Sequence, residues 1–158
     1  MHQLKYNGWR ALAEPMAERM QRMPLPDEVN QEARLVVPVP TTATRLRTRG
    51  YNQAELLARA FAQRRRLELF LELERAGAAG TQTALQPLER AANVAGAFRL
   101  NRGQDRIEGA HLLLIDDVLT TGATAAECAK SLVAGGARCV TVLTFARALD
   151  ARRLTGSQ

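Results

Sequence analysis

Residues 111 to 124 read HLLLIDDVLTTGAT, and no other run constrains the fold of this chain as much. HLLLI (111 to 115) has the pattern of a strand buried on both faces. Two carboxylates, Asp116 and Asp117, follow with no spacer. Val118 and Leu119 come next, then a loop of small and hydroxyl residues, Thr120, Thr121, Gly122, Ala123 and Thr124. A helical pattern of Ala125, Cys128, Ala129, Leu132 and Val133 runs on to Gly135 and Gly136, which end it. A doubly buried strand feeding a helix points to a parallel α/β sheet.

The rest of the chain agrees. Trp9, Leu12, Met16, Met20 and Met23 recur at helical spacing and predict a first helix, kinked at Pro15 or starting near it. PLPDE (24 to 28) reads as a loop, and LVVPV (35 to 39) as a short buried strand whose prolines end regular pairing. Asn52 and Glu55 have capping-box spacing, ahead of a helix with inner face Ala54, Leu57, Ala58 and Phe61. LELFLEL (67 to 73) alternates as a strand does, and CVTVLTFA (139 to 146) reads as another buried strand. Residues 74 to 97 show no pattern, which predicts a lid, a binding loop or an unstructured piece. The expectation is one domain over residues 1 to 150 with a frayed tail from 151 to 158. Its sheet is open and mainly parallel, with helices on both faces.

The motif itself carries chemistry. Ligands of open α/β sheets bind beyond the C-terminal ends of the strands. A tight loop before a helix offers backbone N–H groups and a positive dipole end, which suit a phosphate. Gly122 permits a close approach or an unusual φ, and Thr120, Thr121 and Thr124 add hydroxyl donors. Paired acids would repel a phosphate, so they need another partner: neutral hydroxyls or a divalent cation. Vicinal hydroxyls one sugar length from a phosphate describe a ribose 5-phosphate. The plainer reading, a strand-to-helix turn with Thr124 and Glu127 as a capping box, leaves both acids without a reason. Neither GxGxxG nor GxxxxGK[ST] occurs, so dinucleotide and P-loop readings lack support.

Charge narrows the ligand class. The net charge is +6, and Arg45 to Arg66 holds seven arginines (45, 47, 49, 59, 64, 65, 66) against one acid, Glu55. Such a segment favours polyanions: pyrophosphate, phosphosugars or nucleic acid. Arg64, Arg65 and Arg66 read either as part of that surface or as a solvated helix face. No run reaches the ~18 apolar residues of a membrane span, and the N-terminus lacks a signal-peptide core, so a soluble cytoplasmic protein is expected. Cys128 and Cys139 match no zinc or redox spacing and read as small buried hydrophobes.

LLLIDDVLTTGAT (112 to 124) resembles the phosphoribosyl pyrophosphate (PRPP) motif of type I phosphoribosyltransferases. VPVP with RLRTRGYNQAELLARAFA (residues 37 to 62), Gln82, ERAANVAGAF (89 to 98) and the final TFAR extend the resemblance to the ComF family, phosphoribosyltransferase-like proteins associated with competence for DNA uptake. It covers about Leu4 to Arg147. The resemblance implies a type I phosphoribosyltransferase fold in which Asp116 and Asp117 hold the ribose hydroxyls and Thr120 to Thr124 the 5-phosphate. Pro40, Thr41 and Thr42 would stand at the pyrophosphate loop, with Arg45, Arg47 and Arg49 beyond it. Arg75, Gln82, Arg90 and Asn93 are the family-like positions of a flexible loop. Mg²⁺ is implied with PRPP, held by the pyrophosphate and ribose oxygens and not by protein ligands alone, with Asp116 and Asp117 as candidate contributors.

The chain departs from the family in three places. The four-cysteine zinc ribbon usual at the family's N-terminus is not in this sequence, which is either a truncation or a member without that module, and no zinc is expected. Gly77 and Ala79 stand where the flexible loop usually has a basic residue and a threonine. Thr120 replaces the acid that purine-salvage transferases direct at the base. Two functions follow. One is an enzyme that displaces pyrophosphate from C1 of PRPP by a nitrogen nucleophile through an oxocarbenium-like transition state, without an evident general base, since His2 and His111 lie elsewhere. The other is a binding protein for PRPP or a nucleotide, or an accessory protein contacting single-stranded DNA or competence proteins; a homodimer is a candidate assembly.

Overall fold

The computed structural model describes residues 2–76 and 96–148, with residues 2–7, 9 and 10 described by backbone alone. The elements are α1 (His2–Gln21), α2 (Asp27–Glu32), β1 (Leu35–Pro38), α3 (Ala43–Arg49), α4 (Gln53–Arg65), β2 (Glu68–Leu69), β3 (Leu73–Arg75), β4 (Phe98–Leu100), α5 (Gln104–Ile107), β5 (His111–Leu119), α6 (Ala123–Ala134) and β6 (Cys139–Arg147). Four strands form a sheet in the order β2-β1-β5-β6, parallel at every pairing. β3 and β4 form a separate antiparallel pair.

The strand sequences sort their side chains between two cores, because successive residues of a strand point to opposite faces. Val37, Leu112 and Leu114 pack with Ala125, Cys128 and Leu132 of α6. Val36, Leu113 and Ile115 pack with Met16, Ala17 and Met20 of α1 and Leu57, Ala58 and Phe61 of α4. The expected open parallel sheet with helices on both faces is therefore present. No described helix is long and apolar enough to cross a membrane.

Several local expectations need correction. α1 runs through Pro15, and its buried face is Ala13, Met16, Ala17 and Met20; Leu12 and Met23 are exposed. Asp27 and Glu28 begin α2 rather than closing a loop, two acids in a first turn where the helix dipole favours them. LELFLEL is two strands. Leu69 pairs beside Val36 in the main sheet, whereas Leu73 crosses to the hairpin opposite Leu100, and Phe70 is buried between them. Arg75 is thus on a strand. Residues 77–95, with Gln82, Arg90 and Asn93, lie outside the described residues.

Candidate functional site

The site exists because β1 stops early. Pro38, opposite Ile115, is its last residue, and a proline cannot continue a ladder on its N–H side. β5 runs four residues further, paired past Ile115 to β6: Asp116 opposite Thr144, Val118 opposite Ala146. A crevice opens over the end of β1. It is also where the chain switches direction across the sheet, since β1 leads through α4 to β2 on one side and β5 through α6 to β6 on the other. Such a switch point is the expected place for a ligand.

The cleft there measures about 1020 Å³. Asp116, Asp117, Thr120, Gly122 and Thr124 line it from the β5–α6 side, and Pro40, Thr41, Thr42, Arg45 and Arg49 from the segment after β1. Arg75 reaches it from the hairpin. Most residues singled out in the sequence therefore meet in one place. Thr121, Ala123 and Arg47 are not in the lining. Thr121 Oγ1 accepts from the Ala123 N–H at 3.4 Å and shapes the turn.

Gly122 has φ 82 and stands at the N-cap of α6, its carbonyl accepting from the Ala126 N–H at 2.9 Å. A side chain would be strained at that φ. The expected Thr124–Glu127 capping box does not form; the helix begins two residues too early for it, with Gly122 rather than Thr124 at the N-cap, and Glu127 pairs with Lys130 at 2.6 Å. The first turn of α6 consequently turns N–H groups without intrahelical partners toward the cleft.

The acids are held by their own backbone. Asp116 Oδ1 accepts from the Asp117 N–H at 3.0 Å, and Asp117 Oδ1 from the Val118 N–H at 2.9 Å. Burial, then repulsion from Asp117, pushes the Asp116 carboxyl up to about 7, with Arg45 opposing. Arg75 sits over the Phe98 ring at 5.2 Å. Burial lowers its pKa, and Arg45 adds like-charge repulsion. Cys128, fully buried, has its thiol pushed up to about 12 by burial and then by Asp116.

Other candidates lie elsewhere. α4 ends at Arg65 beside the start of β1, so Arg64, Arg65 and Arg66 stand at the opposite, N-terminal end of the strands. Arg64 pairs with Glu14 at 3.0 Å and Arg65 donates to Asn30 at 2.5 Å, while Arg66 adopts the left-handed conformation that ends α4. His111, the first residue of the inner strand β5, is buried at that same end, 2.8 Å from Thr141 Oγ1 and 3.4 Å from Glu32. Sequence reasoning missed Asn52 and Gln53 as lining residues. Asn52 was legible only as a helix cap. Among the described residues no group of three or more His, Cys, Asp or Glu gathers to hold a metal ion.

No protein-family model matches the chain. It is 33% identical to the DNA utilization protein YhgH of Salmonella typhi, over 94% of this chain and 66% of that one. It is 32% identical to competence protein F of Haemophilus influenzae, over 84% of this chain and 55% of that one. The chain belongs to the competence protein F and YhgH family. This ComF-type chain spans 66% of the length of its YhgH relatives. Its fold is that of the phosphoribosyltransferases. Glutamine PRPP amidotransferase from B. subtilis, solved with ADP and GMP, aligns with a TM-score of 0.56 at 19% identity, covering 89% of this chain and 26% of that one. A structure described as the allosteric regulatory enzyme of purine biosynthesis aligns at 0.52 and 20% identity, over 84% of this chain and 25% of that one.

Proposed function

We propose that this ComF-type chain binds PRPP and acts as a phosphoribosyltransferase-like protein in DNA uptake or nucleotide salvage. One observation carries the reading: a single cleft is lined by the acid pair, the turn at the N-terminus of α6 and the arginine-bearing segment after β1. In this reading Asp116 and Asp117 accept from the ribose hydroxyls, and the turn at 120–124 donates backbone and threonine hydrogens to the 5-phosphate. Thr41 and Thr42, with Arg45 and Arg49, face the pyrophosphate. Arg75, desolvated beside a second cation, gains from an anion in the cleft.

The carboxylates of Asp116 and Asp117 are hard oxygen donors open to the cleft, so they fit Mg²⁺, whose remaining positions would be filled by ligand oxygens and water. When bound, the ion supplies neutralisation of the leaving pyrophosphate. The protein's own part is positioning: the sugar held from below by acids, the phosphate fixed at the helix end, and cations arranged where charge develops. The names of the relatives, a DNA utilization protein and a competence protein, support the physiological setting.

A second reading, PRPP or nucleotide binding without transfer, is favoured by one observation: His111, the histidine whose side chain is described, is held at the opposite end of the strands. Pyrophosphate release from PRPP–Mg²⁺ across a panel of nucleobases and amines separates the two. Release with one acceptor establishes transfer; release with none, by protein that still binds PRPP, leaves the binding reading.

A further inference from the structure

The segment between β1 and α4 carries the arginines of the cleft, yet it is held to the protein in an unusual way. α3 spans residues 43–49 and none of its residues is buried; even Leu46 is 47% exposed. The helix is closed on itself. Thr42 Oγ1 accepts from the Arg45 N–H at 3.2 Å, and Gly50, at φ 78, donates its N–H to the Leu46 carbonyl at 2.7 Å. A helix this short, without a buried face, has little stability of its own. Its position must come from its ends.

At its C-terminal end Arg49 Nη1 donates to Gln53 Oε1 of α4 at 2.5 Å, and the neck of the whole segment is closed by one side chain. Val39 leaves the sheet with its N–H donated to the Ile115 carbonyl at 2.9 Å. Its own carbonyl accepts from Asn52 Nδ2 at 2.9 Å, thirteen residues later in the chain. The other end of the same carboxamide caps α4, Asn52 Oδ1 accepting from the Ala54 N–H at 3.2 Å. The Asn52 side chain therefore closes the neck of the 40–51 excursion and ties it to the strand exit and the helix start together. The task needs a donor and an acceptor on one short, half-buried side chain. Asp keeps the cap but has no donor, and the single hydroxyl oxygen of Ser or Thr, one bond closer to the backbone, cannot take the places of both Oδ1 and Nδ2, so the Val39 carbonyl loses its partner.

We propose that Asn52 is a positioning residue: it sets the reach of Arg45 and Arg49 toward the pyrophosphate half of the ligand, without belonging to the 5-phosphate grip. The inference rests on the PRPP reading for its ligand, and on hydrogen bonds alone for its mechanics. The β5–α6 turn is built independently, by Gly122 and Thr121, so the two halves of the site are separable.

The test compares Asn52→Ser with the unaltered chain, using two probes by calorimetric titration: ribose 5-phosphate and PRPP–Mg²⁺. Loss of one well-made hydrogen bond at the neck lowers PRPP affinity about five- to tenfold, while ribose 5-phosphate affinity stays within about twofold. An equal loss for both probes, or none for either, overturns the proposal. Amide hydrogen exchange in the same proteins supplies a readout that needs no ligand. Residues 45–50 exchange faster in Asn52→Ser, with β5 and the middle of α4 unchanged; unaltered exchange at 45–50 also overturns it. If the unaltered chain binds neither probe, the PRPP reading fails, and exchange alone then decides whether Asn52 holds the neck. Asn52→Thr repeats both measurements if the serine variant does not fold.

Discussion

Replacing Asp116 by Asn should stabilise the unliganded protein as it destroys the ribose grip. The carboxyl sits at about 7 in the folded protein against 3.8 when free, because burial and Asp117 both oppose its charge. The folded state therefore keeps a proton that the unfolded chain has released between those values. The stability tied to that proton is complete below about pH 4 and is lost as pH rises to about 7. The interval corresponds to a ceiling of about 4 kcal/mol at ~1.36 kcal/mol per pH unit. The group is partly exposed, so solvent screening reduces the working figure to about 1–2 kcal/mol. Asparagine is isosteric, and its amide oxygen can still accept from the Asp117 N–H. Its melting temperature should exceed that of the unaltered chain by about 2–8 °C at pH 8 for a domain of this size. Melting both proteins without ligand from pH 4 to pH 8.5 checks the sign as well as the size. The gap should widen between pH 4 and 7 and level off above. A gap independent of pH, or an Asn variant less stable at pH 8, would refute the argument that Asp116 is a strained acid kept for a ligand.

Three further outcomes follow from the same geometry. Cys128, buried with its thiol at about 12, should resist iodoacetamide in the native protein at pH 8 and react once urea unfolds the chain; native labelling at the unfolded rate contradicts its placement. Gly122→Ala has room for its methyl, the nearest atom being Leu119 Cδ1 at 3.7 Å. Its cost is therefore conformational, about 1–2 kcal/mol by urea melting, with weaker ribose 5-phosphate binding; unchanged stability contradicts the left-handed assignment. The triple change Arg64→Ala, Arg65→Ala, Arg66→Ala should leave PRPP affinity unaltered and cost less than ~1 kcal/mol for the Arg64–Glu14 pair; a large loss of affinity would move the site to the wrong end of the strands.

What the sequence made legible depended on how local the cause was. HLLLI could be read because a doubly buried parallel strand is a continuous apolar run; CVTVLTFA has the same run and is a strand, but β6 stands at the end of the described sheet with Leu143 as its one buried residue, so the expectation of a buried strand was wrong there. The acid pair and the turn after it could be read because their residues adjoin and their chemistry has few uses. α3 could not, because a helix without an apolar face leaves no period; its signals are Thr42 at one end and Gly50 at the other. The β3–β4 pair was hidden for a different reason. Leu73 and Leu100 are far apart in the chain, and pairing at that distance leaves no mark on either segment. The Asn52–Glu55 capping box was half right. Asn52 does cap α4 through the Ala54 N–H, but Glu55 turns to Arg59 at 2.8 Å instead of reaching back. The second duty of Asn52, on the Val39 carbonyl, depends on where the chain returns after α3, and no spacing rule encodes that.

The central claim is that the acids of β5 and the turn before α6 grip the ribose 5-phosphate of PRPP. The most direct measurement is the melting temperature with and without PRPP–Mg²⁺, since a ligand of the native state stabilises by mass action, about 2.7 kcal/mol at a hundredfold excess over Kd. For a domain of this size that is a rise of roughly 5–11 °C, and Asp116→Asn with Asp117→Asn should abolish it. A rise that survives both substitutions, or no rise in the unaltered chain at millimolar PRPP–Mg²⁺, would contradict the account.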